Sequence, residues 1–249
     1  MTKLPAKNEA AALAEWNKLQ YKNSGDKTNF IKLVNTPLDE NGKENPEYGR
    51  LFYTTYTPDG DEIRKEIDIE TAEFFLVRTR VQIKCNDYDD AVGKPKYWCR
   101  EVNEFDLITV MDINGEEVAT GEYRELKDEY NLKFTHSAYV YFDGAIYRWN
   151  ISGAHFTTWF DVKGKIDKTM RPHTFKISHL TDEKVGSNHF KSIHFKMGSP
   201  YPIDNAVLIA RELDEGLAKY YEKAAEADRA KEVPLEVEAP AEDLEALPF

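Results

Sequence analysis

The stretch from Phe74 to Cys85 alternates with a period of two. Val77, Thr79, Val81, Ile83 and Cys85 hold the odd positions, and Arg78, Arg80, Gln82 and Lys84 the even ones. Successive strand side chains point to opposite faces, so the pattern predicts a strand with one apolar face on a core and a basic ladder on the other. After a turn-rich loop over 86–95, Lys96, Trp98 and Arg100 alternate with Tyr97 and Cys99. If Cys85 and Cys99 both face the core, Trp98 and Arg100 share the face of Arg78 and Arg80, and the two strands surround an aromatic ring with cations. The plainer alternative is a solvated sheet face with one partly covered Trp.

Turn residues mark out further short strands. Arg50 to Thr57 ends at Pro58-Asp59-Gly60, while Phe105 to Asp112 and Glu117 to Tyr123 flank Asn114-Gly115. Phe134 to Phe142, Ala145 to Ile151 and His155 to Lys163 are separated by Asp143-Gly144 and Ser152-Gly153, and His173 to Leu180 and Phe190 to Met197 add two more. Short strands with regular turns predict a mainly β fold, an OB-type or related β-barrel, instead of βαβ units. Helical spacing predicts an N-terminal helix over Ala6 to Tyr21, a short helical piece at Arg124 to Tyr130, and a long C-terminal helix N-capped by Asp204. Along the last helix Ala206, Ala210, Leu213, Leu217, Tyr220, Ala224 and Ala227 form a packing seam, open either to the chain's own sheet or to a second copy in a homo-oligomer. The expected organisation is a binding body over 1–203, a helix over 204–231 and a disordered acidic tail over 232–249.

The formal charge of -12 argues against loose, unspecific binding to duplex DNA. That charge is segregated, however. From Glu232 to Phe249 there are six acids and no Lys, Arg or His, whereas Asn131 to Pro200 holds ten Lys and Arg against five Asp and Glu. Within this basic middle, Tyr139, Tyr141, Tyr147, Arg148, Trp149, Trp159, Lys163 and Lys165 interleave rings and cations. Unpaired bases need flat apolar faces to stack on and cations beside them for the backbone. The candidate single-strand-binding residues are therefore Arg78, Arg80, Lys84, Lys96, Trp98, Arg100, Tyr147, Arg148, Trp149, Trp159, Lys163 and Lys165. Alternation must bury about half of these rings. Either Tyr147 and Trp149 or Ile146 and Arg148 face inward; some of Tyr139, Tyr141, Trp149 and Trp159 are expected in the core, with Arg148, Lys163 and Lys165 reaching phosphate.

The chain closes on an apolar tip, Leu247-Pro248-Phe249, after Glu242, Asp243 and Glu245. A C-terminal Phe can be captured as a unit, ring in an apolar pocket and carboxylate on a basic rim. This ending resembles the C-terminal tip of bacterial and phage single-stranded DNA-binding proteins, with Leu244, Ala246 and Leu247 interrupting what is usually a denser acidic run. The resemblance covers under a tenth of the chain. It implies a cytoplasmic protein that protects single-stranded DNA and recruits replication, recombination or repair proteins through Glu242, Asp243, Glu245, Leu247, Pro248 and Phe249. A β-sandwich adaptor or phage structural protein, making protein contacts only, is the alternative.

No phosphate-loop, dinucleotide, zincin or hydrolase motif occurs, so neither an enzyme nor a cofactor is expected. The six histidines all lie between His136 and His194 without metal-ligand spacing, and Cys85 and Cys99 alone cannot build a zinc site. No apolar run approaches membrane-spanning length, and the start of the chain lacks a signal-peptide core.

Overall fold

The computed structural model describes residues 29–56, 61–89 and 93–232, with the side chains of the last helix described through Lys219 and at Glu222. The expected N-terminal helix and the acidic tip lie outside the described residues.

The strands are β1 (Asn29–Leu33), β2 (Leu51–Tyr56), β3 (Glu62–Ile67), β4 (Phe74–Cys85), β5 (Tyr88–Asp89), β6 (Lys94–Pro95), β7 (Tyr97–Cys99), β8 (Ile108–Asp112) and β9 (Glu117–Gly121), then β10 (Leu132–Phe142), β11 (Ala145–Ile151), β12 (His173–Val185) and β13 (Asn188–Pro200). The helices are α1 (Tyr123–Leu126), α2 (Phe156–Thr169) and α3 (Ile203–Glu232). Eleven strands form one sheet in the order β3-β2-β1-β11-β10-β4-β7-β8-β9, with β12 joined to β4 and β13 to β12. Only β1 and β11 run parallel; the other pairs in this sheet are antiparallel.

This topology overturns the expected OB-type barrel. An OB-fold is a five-stranded Greek-key barrel that curls on itself. Here nine strands stand in a line and leave β3 and β9 as separate edges. The segment His155 to Lys163, expected as a strand, begins with a turn of 3-10 helix and enters α2, because Trp159, Val162 and Ile166 recur at helical spacing and are its buried side chains. Asp204, expected as an N-cap, lies inside the first turn of α3.

A bulge decides which face each side chain of β4 takes. Tyr139 pairs with Arg78 and Val140 with Leu76, so Val77 is the extra residue. On one face Phe74, Leu76, Ala138, Val140 and Trp149 pack on Trp159, Val162 and Ile166 of α2 and on Phe175 and Phe195 of the β12–β13 hairpin. Beyond the bulge the same face continues as Val81, Ile83 and Cys85, closed by Cys99, Ile108, Val110 and Leu132. On the opposite face Phe75, Val77 and Tyr139 are covered by Ala206, Val207, Ile209, Ala210, Leu213 and Leu217 of α3. The described half of the α3 seam is therefore spent on the chain's own sheet. Val77, expected alongside Val81, faces the other way.

Candidate nucleic-acid interface

Past the bulge, the face under α3 carries Arg78, Arg80, Gln82 and Lys84 of β4, and their environments differ sharply along the strand. Arg78 and Arg80 are each 1% exposed. Arg78 Nη1 lies 2.5 Å from Asp214 Oδ1 on α3. Arg80 Nη2 donates to the Glu101 carbonyl at 2.8 Å, and its Nε lies 3.6 Å from the Glu101 carboxylate. Glu101 also accepts the Tyr139 hydroxyl at 2.7 Å and faces Arg148 Nη2 at 2.9 Å. Arg148 in turn donates from Nε to Asn150 Oδ1 at 3.1 Å and to Ser137 Oγ at 3.2 Å. Two buried guanidinium groups demand such partners, because an uncompensated charge in a low-dielectric interior is too costly to keep. These arginines knit the sheet together, and the expected basic ladder does not present Arg78 or Arg80 to a ligand.

Past Arg80 the same face opens to solvent. Lys133 pairs with Lys84, Lys84 with Trp98, Trp98 with Met111, and Met111 with Glu117. One row of residues thus crosses five strands, from β10 to β9. Side chains directly across a strand pair stand with Cβ atoms about 4.5–5.5 Å apart, so the indole has a lysine beside it and a second lysine one strand farther. Lys84, Lys133, Lys96 and Arg100 are exposed, and Trp98 is 37% exposed. The Trp98 Nε1 donates to the Asp112 carbonyl at 2.9 Å, which fixes the ring's orientation while leaving part of it in water.

The expected residues therefore divide. The structure brings Lys84 and Trp98 together and adds Lys133, which sequence reading missed although it precedes the strand Phe134 to Phe142 by one position; Lys96 and Arg100 flank the short strand of Trp98 and are exposed. It withdraws Tyr147, Trp149 and Trp159, which are at most 3% exposed, into the aromatic core. Burial pushes the Tyr147 hydroxyl up to about 12. Lys163 is held by Glu104 at 3.1 Å and Asp167 at 2.7 Å on the α2 side, and Lys165 pairs with Asp161 one helical turn away. Arg148, between Glu101 and Ser137, is engaged within the fold.

The eight residues linking β7 to β8 fasten the edge of β4 from both sides. Val102 exchanges backbone hydrogen bonds with Val81 at 2.9 and 3.0 Å, Glu101 reaches the arginines, and Glu104 reaches Lys163 across the sheet. At the tip of this strap Phe105 is 92% and Leu107 59% exposed.

Elsewhere the chemistry is quiet. Burial first, then the neighbouring Cys85, raises the Cys99 thiol to about 11, far from the thiolate a nucleophile needs. Among the described residues no three His, Cys, Asp or Glu side chains are grouped to hold a metal ion, and no helix is long and apolar enough to cross a membrane. Comparison with known proteins finds no matching family model, no matching curated protein and no matching solved structure.

Proposed function

We propose that the protein binds single-stranded DNA on the open sheet region centred on Trp98. The observation that carries this reading is the row Lys133–Lys84–Trp98, in which an oriented, part-exposed indole stands beside one exposed lysine and one strand from a second. A single strand offers such a surface bases to stack and phosphates to neutralise, and each stacked base contributes about 1–3 kcal/mol without sequence readout. The acidic tip with Pro248 and Phe249 would then recruit replication, recombination or repair proteins, as its resemblance to single-stranded DNA-binding proteins implies.

The test is anisotropy of a labelled oligo-dT strand across a salt series. Trp98→Ala should weaken binding by about 5–160-fold, the equivalent of one lost stacking contact. Lys84→Glu with Lys133→Glu should flatten the salt dependence by at least ~1.4 in log–log slope, about 0.7 for each lost phosphate contact. Binding indifferent to salt and to all three substitutions would reject the interface.

A second reading is favoured by Phe105 and Leu107, whose exposure on a fastened strap suits contact with another protein. Absence of any oligo-dT binding by the full-length chain, with Phe105→Ser abolishing capture of a protein partner, would favour it.

A further inference from the structure

Between β1 and β11 the parallel ladder stops early. Its register runs from Asn29–Tyr147 to Ile31–Trp149, yet β1 continues to Leu33 and β11 to Ile151. The two strands separate there around a cleft of about 350 Å³. That volume lies at the lower end of small-molecule sites, which run from about 300 to 1,000 Å³.

The lining is apolar below and polar at the rim. Ile31, Trp149, Ile193 and Phe195 are lining residues that belong to the buried core. Phe30, half-buried, adds a third ring. Around them stand Lys32, Asn150, Ser152 and His155. Lys32 is exposed and makes no ion pair among the described residues. The Asn150 Oδ1 is taken by Arg148 and Ser137, which turns the amide so that its Nδ2 is the end left for another partner. His155 Nδ1 accepts the Ile193 backbone N–H at 3.0 Å, and burial lowers its pKa, so the neutral ring carries its proton on Nε2. Ammonium, amide, hydroxyl and imidazole thus supply donors to one small cleft with aromatic walls.

We propose that this cleft receives a single unpaired, carbonyl-bearing base of the bound strand, with Lys32 meeting an adjacent phosphate. The inference rests on the single-strand reading and extends it. Phe30 pairs with Arg148, and Asn150 with Ser137, which itself pairs with Arg80. These pairings put Phe30 and Asn150 on the same side of the sheet as Lys84 and Trp98, while His155, bonded to Ile193, closes the cleft from the α2 side. From β11 to β7 is three strand spacings, about 15 Å, and Lys84 lies four residues beyond Arg80 along β4, so Trp98 stands roughly 20 Å from Asn150, a span that a few extended nucleotides cover. Thymine brings two carbonyl oxygens to the donor rim; adenine brings none.

The experiment compares oligo-dT with oligo-dA for four full-length proteins: wild type, Lys32→Ala/Ser152→Ala, Phe30→Ala and Trp98→Ala. Among the described residues Lys32 carries no ion pair, and Ser152 is exposed, so the double variant keeps the packing. The wild-type preference for oligo-dT should exceed that of the double variant by about 2–10-fold, the range for the one base-reading hydrogen bond lost with Ser152, while loss of Lys32 weakens both strands alike. Phe30→Ala should weaken both strands. Trp98→Ala should weaken both while keeping the preference. A preference that is unchanged in the double variant overturns the cleft assignment and leaves single-strand binding standing. Failure of the wild type to bind either strand overturns the underlying reading itself.

Discussion

The Arg78 guanidinium meets the Asp214 carboxylate at 2.5 Å, joining the middle of the sheet to the helix that covers it. Arg78 is wholly buried there, and Asp214 is only 14% exposed. Such a pair fixes how α3 is seated more than it adds net stability, since both charges were drawn out of water. Asp214→Ala strands a buried guanidinium and should cost about 3–5 kcal/mol in urea unfolding. Arg78→Met with Asp214→Leu should restore most of that loss. A double variant as unstable as the single one would contradict this account.

Acid should weaken the fold through His136. Its ring is buried, its Nδ1 accepts the Trp159 indole N–H at 2.6 Å, and its Nε2 lies 3.9 Å from Glu104. Burial, assisted by the charge of Lys163 and opposed by Asp167, depresses its pKa to about 4. The unfolded chain takes up this proton near pH 6.5, so between about pH 6.5 and 4 the unfolded state binds more protons and stability falls as pH drops. The full effect is on the order of 3 kcal/mol. Unfolding midpoints measured from pH 7 to 4 should show a shallower decline for His136→Asn than for the wild type.

Gly198 is fixed by close approach. A Cβ there would press on the Thr174 hydroxyl and stand 2.7 Å from Glu73 Oε1. Those two groups hydrogen-bond each other, and both also bond the Ser199 backbone N–H. The Thr174 hydroxyl, with Lys176 and that N–H, holds the Glu73 carboxyl down at about 2. Gly198→Ala should therefore cost about 1–3 kcal/mol by overpacking, read as a lowered melting temperature. Gly144→Ala is not a fair comparison, because its φ of 84° adds backbone strain.

Both cysteines are free and buried. Ellman's reagent should find neither in the native protein and two thiols after unfolding, with labelling in mild urea tracking the opening of the fold. Rapid native labelling would show that the β7–β8 end of the sheet opens on its own.

The most legible parts of the sequence were those ruled by local pattern. The strand at Phe74–Cys85, the hairpin turned by Asp143-Gly144 and the shared face of Lys84 and Trp98 all follow from alternation and turn chemistry. The fate of Arg78 and Arg80 was not legible, because burial of a cation depends on acids far along the chain, here Glu101 and Asp214. The bulge at Val77 leaves no mark on an apolar-polar pattern, which tolerates one valine on either face. In α2 aromatic and β-branched residues masked a helical spacing that Trp159, Val162 and Ile166 did carry. The parallel pairing of β1 with β11, and with it the cleft, joins segments no local signal connects.

That parallel pair has a kinetic consequence. Asn29 reaches the Ile146 carbonyl across 117 positions of sequence, so the intervening chain must be ordered before either strand gains from the other. Closing so long a loop is slow compared with forming the β10–β11 hairpin. In refolding, hairpin protection from hydrogen exchange should therefore arrive first, and docking of β1 with its neighbours β2 and β3 should be among the last events.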